Sequence, residues 1–323
     1  MKKIAVLDSF AIHRGDLDWS PLYAMAEEVV VYPRTANHQA AARIGDADAA
    51  ILNKVWVGDE VLDACPNLKW IGLTATGTDS LDLAACRRHG VPVANVPAYS
   101  TDSVAQLAFA LLLELCQCPG RFDAAVRGGY WQSDIPAEFA VLPQLELAGK
   151  TLGIVGYGSI GRRAAQIGRA FGMRVLAHTR TVRPEWAGDG VQFVALDKLL
   201  AESDAISLHC PANAETNRLL NAERLALCKP GVRIVNTARG ALVEETAMAA
   251  ALQSGQVGGY AADVVSLEPL RPDNPLLGAP RTVLTPHIAW ATPEALSRLA
   301  REVCENLRAF LAGSPRNIVN GPF

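Results

Sequence analysis

Short apolar runs and longer amphipathic stretches take turns along the first hundred residues. "KIAVLDS" (3–9), "EVVVYP" (28–33), "AAILNK" (49–54), "LKWIGLTAT" (68–76) and "VPVANV" (91–96) are rich in β-branched residues and read as strands. "HQAAARIG", "GDEVLDAC" and "SLDLAACRRHG" fill the gaps with helical spacing. That alternation predicts a parallel sheet covered on both faces, with Pro66 and Gly90 in tight linking turns. A second set follows: "TLGIVGYG", "RVLAHT", "VQFVAL", "AISLHCP", "VRIVNTA", "GYAADVV" and "TVLTPH". Seven strand-like runs separated mostly by helices predict a Rossmann-type sheet.

Between the two sets lies "PAYSTDSVAQLAFALLLELCQC" (97–118), which Ser100 or Thr101 can cap. It is apolar nearly all round, so it reads as a buried helix, either in a plain core or at a boundary between domains or subunits. The last helix, "TPEALSRLAREVCENLRAFLAG" (292–313), carries Leu296, Leu299, Val303, Leu307, Phe310 and Leu311 at helical spacing. Thr292 caps it, Pro293 suits its first turn and Gly313 can end it.

A chain of 323 residues is long enough for about two domains of roughly 150 residues. Half of it is apolar and a fifth charged, which predicts sizeable cores and excludes a disordered chain. The net charge is −3, with Lys and Arg scattered along the sequence. Neither a nucleic-acid footprint nor an anionic-membrane surface is expected. The longest apolar run, near Leu107–Leu113, is far short of the ~20 residues of a membrane span. "MKKIAVLDSF" reads as a buried first strand rather than a signal peptide. The seven cysteines form no metal-ligand pattern, and "CQC" (116–118) lacks a second pair. The expectation is unpaired thiols in a reducing cytoplasm, and no metal site.

The chemistry begins at Gly156-x-Gly158-x-x-Gly161, which follows the apolar strand "TLGIV" and opens an amphipathic helix. That context makes it a dinucleotide cradle. Gly156 allows the turn, Gly158 lets backbone approach a pyrophosphate, and Gly161 lets helix and strand pack closely. The amides of Ser159 and Ile160 are the expected phosphate donors. An acid ~20 residues further on normally grips the ribose 2′-OH, but that place holds Arg180 between Thr179 and Thr181. A guanidinium flanked by hydroxyls suits a 2′-phosphate; a solvated surface arginine is the other reading.

Three later segments, "NTARG" (236–240), "DVVSLEP" (263–269) and "TPHIAWAT" (285–292), fall at the carboxyl ends of strands, where open parallel sheets bind ligands. They supply Arg239, Glu268 and His287. Reduction of a 2-oxo acid needs such a set. An imidazole neutralises the developing oxyanion, a carboxylate fixes its tautomer, and a guanidinium grips the substrate carboxylate. Taken singly, each could instead serve an ion pair, a turn or a strand end.

With "VGYGSIG", "VNTARGALVEE", "DVVSLEP" and "TPHIAWAT" in hand, the chain resembles the D-isomer-specific 2-hydroxyacid dehydrogenases over essentially its whole length. The resemblance implies two doubly wound parallel α/β domains. A Rossmann cofactor domain (100–288) would be inserted into a flavodoxin-like substrate domain (1–99 and 289–323), with catalysis in the cleft. It implies that Arg239, Glu268 and His287 are catalytic, that Thr76 and Gly77 join Arg239 and His287 in binding substrate, and that Asp263 meets the nicotinamide carboxamide. Thr101 would lie near the phosphates and Val104 near the nicotinamide. His209, Cys210 and Pro211 would flank the adenosine, and Thr237 and Ala238 the nicotinamide ribose. Family members are usually dimers, and the helix from Ser103 with "RFDAAVRGGYW" resembles the contact region.

"KIAVLDSF", "VPAYSTDSVAQ", "HIAWAT" and "PRNIVNG" look most like the glycerate dehydrogenase and hydroxypyruvate reductase branch. Neither the further regulatory domain of many phosphoglycerate dehydrogenases nor the long extensions of formate dehydrogenases are expected. Two features depart from the branch: Arg180 replaces its frequent acid, and "SDIPAEFAVLPQLELAGKT" (133–151) lacks its aromatic run. The expected activity is therefore reduction of hydroxypyruvate or glyoxylate with NADP(H) preferred and NAD(H) possible. The alternatives are another substrate, such as D-lactate or phosphoglycerate, and a dinucleotide-sensing, corepressor-like binding protein on the same fold.

Overall fold

The structure, a computed structural model, describes residues 1–9, 18–129, 131 and 144–322. Phe10, Tyr130 and most of the stretch expected to edge the pocket lie outside the described residues. Two compact units emerge: Met1–Ser100 with Trp290–Phe323, and Thr101–Ala289.

The first unit holds strands β1 (Lys3–Val6), β2 (Glu28–Val31), β3 (Ala49–Leu52), β4 (Trp70–Leu73) and β5 (Val93–Ala94). Helices α1 (Ser20–Tyr23), α2 (Ala40–Ile44), α3 (Asp59–Ala64) and α4 (Leu83–Arg88) connect them. All pairs are parallel, in the order β2-β1-β3-β4-β5. That is the flavodoxin-like winding. Side chains alternate across the sheet. Ala5, Leu7, Ala50 and Leu52 join one core, while Ile4, Val6, Ala49 and Ile51 join another. The second core is covered by α11 (Pro293–Leu311), which returns to this unit and buries Leu296, Leu299, Val303 and Leu307. Each such side chain contributes about 1.5–3 kcal/mol. The Thr292 hydroxyl caps α11 by accepting from the Ala295 amide at 3.3 Å.

The second unit opens with α5 (Thr101–Gln117) and α6 (Pro119–Arg127). Strands β6 (Thr151–Val155), β7 (Arg174–His178), β8 (Gln192–Phe193), β9 (Ala205–Leu208), β10 (Val232–Asn236), β11 (Val257–Ala262) and β12 (Thr282–Leu284) follow. Helices α7 (Ser159–Ala170), α8 (Leu196–Glu202), α9 (Ala222–Leu227) and α10 (Glu245–Ser254) lie between them. The parallel order is β12-β11-β10-β9-β6-β7-β8. The order reverses between β6 and β9, the switch point where such sheets bind dinucleotides.

Three expectations need correction. β5 keeps two residues of the 91–96 run, and β8 keeps two of "VQFVAL". Both lie at a sheet edge: β8 pairs with β7 alone, while β5 is met on its outer side by the Ile318 segment, with the Val319 amide donating to Val93 O at 2.9 Å. Thr101 is the first residue of α5 rather than its cap. Within one copy, that helix turns Val104, Ala108, Leu111, Leu112 and Leu115 to the core and leaves Gln106 and Ala110 exposed.

Asp48 fastens the start of the first sheet. Its carboxylate accepts from the Lys69 ammonium at 2.7 Å and from the amides of Lys2 and Lys3 at 2.7 and 3.2 Å. The Lys69 partner, and then the amides, hold its pKa down at about 2, from an ordinary 3.8. A depressed carboxyl contributes stability above its unfolded pKa and loses it as pH falls through the folded one. Asp48→Asn is therefore expected to show a shallower acid limb between about pH 4 and 2, read by circular dichroism.

Candidate active site

At the switch point, β6 runs into the turn at Gly156, whose φ is 94° and whose amide donates to His178 O at 2.8 Å. A Cβ on Gly156 would stand 2.4 Å from the Cys210 amide, and one on Gly161 would stand 2.0 Å from Gly156 O. Only glycine fits at either place. Above Gly158 the space is open, with no atom within 4 Å of an added Cβ. α7 starts at Ser159, so the Ser159 and Ile160 amides belong to the first turn, which has no intrahelical acceptors. Together with the helix dipole they make an anion site.

His209 and Cys210 back this turn, with the His209 amide donating to Val155 O at 2.7 Å. Burial pushes the His209 imidazole down to about 4, so it is neutral near pH 7, and its Nε2 meets the Ser207 hydroxyl at 2.8 Å. Pro211 follows on the surface. Thr237, just past β10, has a buried hydroxyl oxygen without a partner among the described residues. Val104 is buried in the first turn of α5, one turn beyond Thr101. A glycine-only cradle open at Gly158 and an orphaned hydroxyl on the next-but-one strand fit a bound dinucleotide.

Thr179, Arg180 and Thr181 follow β7 directly. Arg180 is exposed and has no ion pair among the described residues. The chain then folds back onto the cradle. Trp186 and Phe193 pack edge-on against Tyr157, the middle residue of the glycine turn, at 5.2 and 5.1 Å. Asp189 accepts from the Tyr157 hydroxyl at 3.0 Å and from Arg162 Nε at 3.1 Å, and its carbonyl accepts from Arg169 at 2.7 Å. The segment that carries Arg180 is thereby pinned to the phosphate turn.

Arg239, Glu268 and His287 follow β10, β11 and β12, neighbours in the sheet. His287 Nδ1 meets Glu268 Oε2 at 2.8 Å, with about a third of each side chain exposed. His287 has φ of 55°, a left-handed conformation that non-glycine residues adopt only when their surroundings enforce it. Its amide donates to Asp263 O at 2.8 Å. The Asp263 carboxylate, 1% exposed, accepts from Thr285 Oγ1 at 2.6 Å and from the amides of Ile288 and Ala289 at 2.9 and 2.8 Å. Expected to meet a nicotinamide carboxamide, Asp263 has both oxygens engaged in shaping the histidine turn.

The Arg239 loop is shaped by Asn236. This residue has no exposed surface, donates to Arg239 O at 3.0 Å and accepts from the Ala238 amide at 3.0 Å. Gly240 then presses this loop onto the one bearing Glu268, since a Cβ there would stand 1.9 Å from the Val265 carbonyl carbon. Thr76 and Gly77 belong to the first unit, after β4, where Thr76 Oγ1 donates to Val96 O at 2.7 Å.

Residues 109–289 match the family model for the NAD-binding domain of D-isomer-specific 2-hydroxyacid dehydrogenases. Hydroxypyruvate reductase from Blautia hydrogenotrophica is 44% identical, over 98% of this chain and 99% of that protein. The chain belongs to the D-isomer-specific 2-hydroxyacid dehydrogenase family. Among solved structures, the TT0316 protein of Thermus thermophilus superposes with a TM-score of 0.87 at 37% identity, over 98% of this chain and 99% of that one. An acyclic imino acid reductase, Bsp5, solved with NADPH and D-Arg, gives the same TM-score of 0.87 at 29% identity, over 99% and 100%.

As a dehydrogenase of this family, the chain is an oxidoreductase built on an NAD-binding domain. The residues its motifs left unassigned are those that hold others in place. Asn236 stood inside a quoted motif. Tyr157 and Asp189 did not stand out, because their contact joins positions 32 residues apart. Glu245 supports the Glu268 loop by accepting from the Ser266 amide and hydroxyl at 2.7 and 2.6 Å.

Proposed function

We propose that this protein reduces hydroxypyruvate or glyoxylate to D-glycerate or glycolate and prefers NADPH to NADH. The observation that carries the reading is the 2.8 Å contact between His287 Nδ1 and Glu268 Oε2 beside the Arg239 loop, in a chain so similar to a hydroxypyruvate reductase. When bound, the dinucleotide supplies a hydride to the carbonyl carbon. His287 supplies the proton. With Nδ1 held by Glu268, Nε2 is left to face the carbonyl oxygen and deliver the proton. Arg239 binds the substrate carboxylate and polarises the carbonyl, assisted by the amides of Thr76 and Gly77. Asp263 keeps His287 in its left-handed turn.

Ser159, Ile160, Thr101 and the glycine turn hold the pyrophosphate in this reading. His209, Cys210 and Pro211 flank the adenosine, Thr237, Ala238 and Val104 the nicotinamide end, and Thr179, Arg180 and Thr181 the 2′-phosphate. A homodimer is part of the proposal: α5 and α7 share an open groove of about 350 Å³ lined by Phe109, Ala110, Leu113 and Ile167. So is a cytoplasmic location, which suits seven free cysteines. The decisive experiment follows NADPH oxidation with hydroxypyruvate, glyoxylate, pyruvate and phosphohydroxypyruvate. The highest kcat/KM is expected for one of the first two. A higher value for either of the others overturns the substrate assignment, and NADPH binding without turnover of any acid overturns the enzyme assignment.

A further inference from the structure

The amino ends of β10, β11 and β12, opposite the strand ends that carry the candidate site, frame a cavity of about 310 Å³. That lies at the lower end of the ~300–1,000 Å³ typical of small-molecule pockets. Three arginines line it, Arg121 from α6, Arg233 from β10 and Arg281 from the turn before β12, against one carboxylate, Glu114. They are far apart in sequence and only the fold assembles them.

Arg233 is the informative one. It is 8% exposed, at the second position of a central strand. Its Nε donates to Leu115 O at 3.2 Å and its Nη1 to Gly231 O. Among the described residues its Nη2 has no partner, and no carboxylate pairs with Arg121, Arg233 or Arg281. Burial, and further down the like charge of Arg281, pull the Arg233 pKa below the ordinary arginine value. The fold makes room for this cation. A Cβ on Gly258 would stand 1.8 Å from Arg233 Nη1, so any other residue there would displace the guanidinium. Removing a charge from water without a counter-charge costs several kcal/mol. A cation so placed, in the wall of a cavity, is half of an ion-binding site.

We infer that this cavity binds a phosphate group, free or carried by a small metabolite, at a site separate from the dinucleotide cradle. Three guanidinium groups and one carboxylate leave a net charge of +2. A phosphate monoester carries roughly −1.5 to −2 at pH 7 and offers oxygens in the geometry that guanidinium forks match. Bound phosphate would tie α5 and α6 to the base of the sheet whose other end carries Arg239, Glu268 and His287.

The test is the melting temperature of the NADPH-saturated protein in inorganic phosphate, compared with chloride at equal ionic strength, and in a second arm with glycerol 2-phosphate. Saturation with NADPH occupies the cradle, and Arg180→Ala serves as the control for phosphate acting there. A saturable rise of about 3 °C at ten times the Kd is expected. It should be retained in Arg180→Ala, reduced in Arg121→Ala and Arg281→Ala, and lost in Arg233→Met. A response to glycerol 2-phosphate at lower concentration than to phosphate assigns the site to an ester; the reverse assigns it to the free ion. The two exposed variants keep the test valid if Arg233→Met does not fold. No rise in the wild type, or a rise unchanged in both exposed variants, overturns the proposal. So does a phosphate-insensitive protein in which Arg281→Ala dissociates an oligomer, since the arginines would then be meeting carboxylates of a second copy.

Discussion

Replacing His287 with alanine is expected to lower kcat by about 10²–10⁴-fold, the usual contribution of a general acid, with little change in NADPH affinity. Among the described residues the imidazole is held by Glu268 alone, at 2.8 Å, and about a third of its surface is open. It is therefore placed to reach a reacting atom rather than to fill a core. The turn beneath it does not depend on the ring: the His287, Ile288 and Ala289 amides are all bound by Asp263. Truncation should leave that turn folded, so lost turnover reads out chemistry and not collapse. Steady-state kinetics with a fluorescence titration of NADPH separates the two. Near-normal kcat would remove His287 from the mechanism. Glu268→Gln keeps a hydrogen bond but no charge, and its smaller loss would measure what the carboxylate adds to the proton donor.

The architecture could be read in advance because a parallel sheet covered on both faces leaves a clear pattern: strands are apolar runs and most crossovers are helices, with β7 to β8 and β11 to β12 joined without an α-helix. Both sheets carry their strands where those runs stand. Strand ends were less legible: β5 pairs with Ile71 and Gly72 of β4, and β8 with Leu176 and Ala177 of β7, so only two residues of each apolar run join a ladder. The glycine cradle was legible for a steric reason that the structure makes explicit: at Gly156 and Gly161 a Cβ would collide with backbone. Residues acting directly on ligands advertise their chemistry. Those acting through others do not. Asp263, expected at the cofactor, has a second task that its motif did not show: its carboxylate binds Thr285, Ile288 and Ala289 and shapes the histidine turn. Asn236 and Asp189 are polar residues of ordinary appearance whose tasks exist only once distant segments meet. The arginine cavity is the extreme case. Arg121, Arg233 and Arg281 look like scattered charge in the sequence, and only the fold, with Gly258 cleared beside them, makes them a group.

Changing Arg180 to aspartate is expected to reverse the cofactor preference. A charge-assisted hydrogen bond is worth about 1.5–3 kcal/mol, so losing it should cut kcat/KM for NADPH by about 10–100-fold, and repulsion between carboxylate and phosphate adds to that. NADH should gain, because an acid at this place grips the ribose 2′-OH. Arg180 is exposed and unpaired among the described residues, so the substitution costs the fold nothing comparable. The surrounding segment is held independently of it, by Asp189 on Tyr157 and Arg162 and by Trp186 against Tyr157. A change in preference would then report on the guanidinium alone. Arg183 does not offer a ready substitute: it lies over the Trp186 ring at 5.4 Å and beside Glu185 at 3.8 Å. If the NADPH to NADH ratio of kcat/KM does not move, the 2′-phosphate is not read by Arg180. The arginine would then be the solvated surface residue that its exposure alone describes.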